Sequence, residues 1–229
     1  FRLARFLLKH DKADAAQDAL FGGDDLPQNA TTLDVGNDDP VFARIASGGH
    51  ADMLHIKREF DASKNKQDAS LKVDSLRRIE QFLRKTASEG GWRIVLVEDA
   101  DTMNRNAQNA ILKILEEPPP KVLIILITHR PGLLIQTINS RARTVKFNPL
   151  SRDHLSELLH KKGVVLSVDD MQIVTDMSEG SFGQALRIVE EGGLATFGRV
   201  VDVLRSYPKW QWNTIHEVSN KLAPSAQDK

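Results

Sequence analysis

The sequence predicts an α/β domain built on a parallel sheet, followed by an all-helical part. Ile94 to Val97 and Val122 to Thr128 are continuous apolar runs. Continuous rather than alternating apolarity marks strands covered on both faces, as in parallel sheets. Helical patterns stand before and between these runs, which implies a three-layer arrangement with helices on the sheet. After Phe147 the pattern is helical throughout.

Taken in order, Phe1, Ala4, Leu7 and Leu8 recur at helical spacing, and Lys12 to Leu20 forms a second helical piece ended by Gly22-Gly23 and Pro27. The sequence starts at Phe1, inside an element, so it is expected to be part of a longer protein. Asp11 to Asp39 holds eight aspartates and one lysine, Lys12. Such a run reads as a solvated surface, with an acidic docking patch as the alternative. Met53 to Lys57 alternates apolar and polar residues and predicts a strand, and Ser63 to Ser70 predicts a loop. Val73, Leu76, Ile79, Phe82 and Leu83 line one helical face. Asp74 suits the first turn of that helix, and Gly90-Gly91 is expected to close it.

Thr102 or Asn104 can cap the next helix, with Met103, Ala107, Ala110, Ile111, Ile114 and Leu115 turned inward. Pro118-Pro119-Pro120 stops it, because proline lacks the backbone donor and clashes with the preceding turn. Thr144 to Phe147 reads as extended. Pro149-Leu150-Ser151 opens a helix with Leu155, Leu158 and Leu159 inward and Gly163 at its end. Further helices are expected over about 168–178, 181–191 and 194–207, and the tail from Trp210 begins another. The expected domains are residues 1–147, 148–207 and 208–229.

Composition narrows the functional classes. Lys plus Arg equals Asp plus Glu at 31 each, so net charge is zero. That argues against tight, independent DNA binding through bulk charge, though not against local contacts within a complex. The 229 residues contain no cysteine, which excludes disulfides, thiolate zinc sites and cysteine nucleophiles. No apolar run approaches a membrane span and no signal peptide is visible, so a soluble, intracellular protein is expected.

The chemistry-bearing residues cluster between Arg93 and Arg143. Glu98 and Asp99 follow a strand end, where α/β sheets bind ligands. Such a pair could hold Mg²⁺ or orient water; equally, one acid could cap the next helix while the other is solvated. No G-x-x-x-x-G-K-[ST] or G-x-G-x-x-G is present, so these residues contain no phosphate-binding loop. Glu116-Glu117 fall at a helix C-terminus, where negative charge costs about 0.3–1 kcal/mol each. Either a basic neighbour on another surface compensates or solvent screens them. Ser140-Arg141 follow a turn, and an exposed arginine at a domain edge can reach a neighbour's nucleotide, although most arginines are simply surface residues. His50, His55, His129, His154, His160 and His216 show no metal-ligand spacing, and Trp92, Trp210 and Trp212 read as core or interface residues.

Glu98-Asp99-Ala100-Asp101, the run Asn109 to Pro119 (NAILKILEEPP), Thr128 and Ser140-Arg141 together resemble bacterial clamp-loader AAA+ subunits. The resemblance covers about residues 1–207. It is closer to the δ′ branch of the DNA polymerase III clamp loader than to the ATPase branch. The acidic pair is inverted from Asp-Glu to Glu98-Asp99, and Gly183 stands where the ATPase branch carries a sensor-2 arginine. Thr128 to Leu134 and Glu89 to Arg93 are also similar to δ′ sequences. The resemblance implies an AAA+ core over 1–147 without its P-loop, a helical lid over 148–207 and the start of a helical collar over 208–229. It implies a stator that does not hydrolyse ATP itself, with Glu98, Asp99 and Thr128 as a degenerate nucleotide site. Arg141 would be an arginine finger for the neighbouring subunit's ATP, with Ser140 shaping its turn. Arg105 and Lys113 would be candidate DNA-backbone contacts. The implied partners are the γ/τ and δ subunits, the sliding clamp indirectly, and primed DNA, and no membrane is involved. No cofactor of its own is expected, because ATP and Mg²⁺ belong to the neighbour. The family motif usually continues with cysteine where Ala142 stands here. The four-cysteine zinc module of many relatives cannot form, and Leu20 to Ala51 is expected to replace it. The alternative is an ATP-hydrolysing, γ/τ-like subunit whose P-loop lies outside these residues.

Overall fold

The computed structural model describes residues 1–10, 32–61, 65–88 and 91–208, together with isolated positions between 212 and 219. The second helical piece at 12–20, most of the aspartate-rich run and the tail lie outside the described residues. Two compact units divide the chain, Phe1–Thr144 and Val145–Lys229.

The first unit is a three-layer α/β domain. Its sheet contains β1 (Met53–Ile56), β4 (Arg93–Val97) and β5 (Val122–Leu126) in the order β1-β4-β5, all parallel. Side chains alternate between its faces, as a period of two requires. On one face Val95, Val97, Ile56 and Ile124 pack with Leu76 and Ile79 of α3 (Val73–Leu83) and with Ala107 and Ile111 of α4 (Arg105–Glu116). On the other face Ile94, Met53, Leu123 and Ile125 meet Ala4 and Leu8 of α1 (Arg2–His10) and Val41 and Ile45 of α2 (Pro40–Ala46). All five residues of β4 are buried.

Three local expectations differ from the structure of this unit. The run expected as a buried strand over 122–128 forms β5, which ends at Leu126 and is only half-buried because it is the last strand of the sheet. Helix α3 ends at Leu83 rather than at Gly90-Gly91. The buried guanidinium of Arg93 donates to the carbonyls of Leu83 (2.8 Å), Phe82 and Lys85, and the amide of Ser88 donates to Asp52 Oδ1 at 2.7 Å. These bonds satisfy the terminal carbonyls and turn the chain toward β4. The polar stretch expected as a loop carries a short antiparallel pairing of β2 (Phe60–Asp61) with β3 (Lys66–Gln67). The segment Leu20 to Ala51, expected as a shorter or looser replacement for a zinc module, is described from residue 32 onward and contains α2. Asp39 Oδ1 accepts from the Val41 amide at 2.8 Å, and Pro40 occupies the first turn.

The second unit contains α6 (Arg152–Lys161), α7 (Val168–Ser178), α8 (Phe182–Glu190) and α9 (Gly193–Arg205). Ser151, Ser167 and Ser181 cap the first three through side-chain oxygens. Leu155, Leu159, Met171, Val174 and Ala185 form its core. Thr144 to Phe147, read as extended, forms no strand, and Val145 and Phe147 are exposed.

Candidate functional site

At the carboxyl end of β4 the chain turns sharply. Asp99 adopts the left-handed conformation (φ 51°, ψ 42°), and a one-turn 3₁₀ helix, Ala100–Thr102, follows. Aspartate tolerates this region better than most non-glycine residues. Asn104 then caps α4, its Oδ1 accepting from the Ala107 amide at 2.9 Å. Asp99 makes no cap bond, so neither acid of the pair caps α4. Instead Asp99 Oδ2 accepts from Arg58 Nε at 2.8 Å, and Glu98 Oε1 lies 3.1 Å from His55 Nε2. The ring of Phe1 packs edge-on against His55, with centroids 5.2 Å apart. Asp99 is thus held by a guanidinium from just past β1, and Glu98 lies beside an imidazole of β1. His55, Lys57, Arg58 and Arg78 line a cleft of about 680 Å³ beside them.

Asp101 is the buried acid of the cluster. Its Oδ2 accepts from Arg130 Nε at 2.9 Å, and its Oδ1 accepts from Thr128 Oγ1 and from the His129 amide, each at 3.3 Å. Burial pushes the Asp101 carboxyl pKa up. The hydrogen bonds from Arg130, His129 and Thr128 outweigh that push and hold it below the usual value. Thr128 therefore reaches Asp101, two residues beyond the expected acid pair. No local sequence pattern marks Asp101, Arg58 or Arg130 for a role, since their pairing depends on which strand ends meet.

Gln108 fastens α4 to the segment after β5. Its amide nitrogen donates to Met103 O (3.0 Å) and Leu133 O (3.1 Å), and its Oε1 accepts from the Ile135 amide at 2.7 Å. That segment leads into α5 (Gln136–Asn139), anchored by the fully buried Ile138. Arg141 follows. Its Nη2 lies 2.8 Å from Glu116 Oε1, and its Nη1 donates to Thr137 O at 3.0 Å and to Ser140 Oγ at 3.3 Å. The basic neighbour that Glu116 wants at its helix end is Arg141 of the same chain.

The acids precede the first turn of α4, whereas Arg141 pairs with its last residue. The length of that helix, about 18 Å for its 12 residues, separates the two chemistries. The candidate DNA contacts do not come together either. Arg105 and Lys113 are both exposed but lie about two turns apart on α4, and Lys113 lines a small groove with Leu83, Arg84, Ile114 and Pro119. In the helical unit Gly183 sits in α8 with open space around its Cβ position. Trp92 is half-buried, Trp212 is exposed, and Trp210 lies outside the described residues. Among the described residues no group of three or more His, Asp or Glu side chains could hold a metal, and no helix is long and apolar enough to cross a membrane.

A parallel sheet covered on both faces, with its polar cluster at the carboxyl edge and a helical unit following in sequence, defines an α/β protein of the open-sheet class. Residues 27–151 match the family model described as DNA polymerase III, delta subunit, and the chain belongs to that family. It is similar to DNA polymerase III subunit delta′ of Pseudomonas aeruginosa, 39% identical over 97 residues, covering 42% of this chain and 28% of that protein. It is also similar to DNA polymerase III subunit delta′ of Escherichia coli, 32% identical over 146 residues, covering 64% and 42% respectively. DNA polymerase III subunit gamma of Buchnera aphidicola is 32% identical over 123 residues, covering 52% and 34%. The matched segments thus span less than half the length of each of these relatives.

Proposed function

We propose that this chain is the δ′-like stator of a clamp loader, which does not hydrolyse ATP at its own site and supplies Arg141 to the ATP of a neighbouring subunit. The observation that carries this is the separation along α4: Arg141, half-exposed, stands at the end of the helix remote from Glu98 and Asp99. A guanidinium placed there is out of reach of Glu98 and Asp99, and its one acidic partner among the described residues, Glu116, forms a solvent-open pair that leaves it available to another chain's phosphate. An arginine presents a planar fork of donors suited to phosphate oxygens and neutralises charge developing in phosphoryl transfer. Ser140 shapes the turn by donating to Thr137 O at 3.1 Å and accepting from Arg141.

The chain's own acids support the same reading. Asp99 is engaged by Arg58 at 2.8 Å. With Asp99 held by Arg58, the degenerate site formed by Glu98, Asp99 and Thr128 has no hydrolytic step assigned to it in this reading. The partners in this reading are γ/τ and δ subunits, the sliding clamp and primed DNA, in the cytoplasm at the replisome. Residues 1–147, 148–207 and 208–229 would serve as AAA+ core, lid and start of the collar. Arg105 is the better placed candidate for DNA, because it stands in the first turn of α4, where the helix end also favours a phosphate.

The test is Arg141→Ala in a reconstituted loader whose hydrolysis is confined to the ATP site facing this chain. The DNA-stimulated rate there is expected to fall on the order of 10³-fold, the usual worth of such an arginine. An unchanged rate removes the finger assignment. The likeness to a gamma subunit favours a second reading, an ATP-hydrolysing subunit. Steady ATP hydrolysis by the isolated full-length protein would establish that reading instead.

A further inference from the structure

We infer that Glu116 is the positioning residue for Arg141, and that the ion pair between them sets the direction in which the arginine is presented; this rests on the finger reading above. Among the described residues the Arg141 side chain has three partners. Thr137 O and Ser140 Oγ belong to its own turn and move with it. Glu116 belongs to α4, whose Ala107, Ile111 and Ile114 are packed into the core of the sheet domain. The bond from Nη2 to Glu116 Oε1, at 2.8 Å, is therefore the one that ties the guanidinium to the rigid part of the domain.

Glu116 is also a costly residue where it stands. It is the last residue of α4, and its charge faces the negative end of the helix dipole. Helix stability alone would favour a neutral or basic side chain at that position. The cationic partner at hydrogen-bonding distance gives the carboxylate a different use, and its geometry suits it. A carboxylate can hold one edge of a guanidinium while leaving other donors of the fork free. With side chains 35% and 48% exposed, respectively, Arg141 and Glu116 form a pair open to solvent. Such pairs are weak enough to yield or rotate when a phosphate arrives, yet sufficient to restrict the rotamers of a long side chain.

The experiment uses the full-length protein in the reconstituted loader with hydrolysis restricted to the facing site, and ATP and primed DNA as substrates. Glu116→Gln is expected to lower kcat about three- to five-fold, the order of one exposed ion pair, with KM for ATP little changed. Glu116→Asp should recover part of the loss. In the Arg141→Ala background, Glu116→Gln should add nothing, because a positioning residue has no effect once its target is gone. Thermal unfolding of the Glu116→Gln protein should be unchanged or slightly raised, since the helix end loses an unfavourable charge. Full activity in Glu116→Gln, or an equal further loss in the Arg141→Ala background, overturns the inference while leaving the finger reading intact. An inert Arg141→Ala change overturns the finger reading itself.

Discussion

At Asp101, burial and hydrogen bonding pull the carboxyl in opposite directions, and hydrogen bonding wins. A carboxyl held below its unfolded pKa contributes stability that is fully present above the unfolded value and is lost as pH falls through the folded one. Asp101→Asn should therefore flatten the acid limb of the stability curve below about pH 4. At neutral pH it should cost about 1–3 kcal/mol, because Arg130, the His129 amide and Thr128 lose a charged acceptor. Urea titrations of both proteins across that range check this, and parallel curves would contradict it. The acids visible by motif, Glu98 and Asp99, are more accessible, with Asp99 held by Arg58 and Glu98 beside His55. The motif locates the strand end correctly. It does not reveal that the most buried acid is two residues further on, because burial depends on the approach of Thr128 to Arg130 from the end of β5.

Among the elements, the strands and principal helices were legible where periodicity and length agree. Runs such as Ile94–Val97 and the stripe through α4 admit few other conformations. Legibility failed where long-range bonds decide the outcome. Helix α3 stops early because Arg93, ten residues beyond Leu83, binds its last carbonyls. The half-burial of β5 follows from its place at the sheet edge, and strand order is not written in local apolarity. Helix α2 carried a readable signal, Asp39 followed by Pro40 as cap and first residue, but its surroundings are too polar to draw attention. In the helical unit the αL residue Gly180 (φ 72°) is a defined joint. A Cβ there would lie 2.7 Å from Leu150 O and 2.9 Å from Leu150 N, and the Leu150 amide donates to Gly180 O at 3.0 Å. Gly180→Ala should destabilise the protein by about 1–3 kcal/mol through that contact and the strained φ. A lowered denaturation midpoint checks this, and Gly183→Ala, which meets open space, serves as the comparison.

For the molecule as a whole, charge balance sets what the chain can do alone. With 31 basic and 31 acidic residues, it lacks the excess positive field that drives counterion release from DNA. The isolated protein should show no measurable binding to primed DNA by fluorescence anisotropy at about 150 mM salt. Tight binding there would show that local basic surfaces suffice without partners. Arg93 gives the fold a dependence in time. Its guanidinium finishes α3 from the first position of β4, so the last turn of the helix has no complete set of hydrogen-bond partners until that strand is in register. The end of the helix and the start of the strand must form, and open, as one cooperative step.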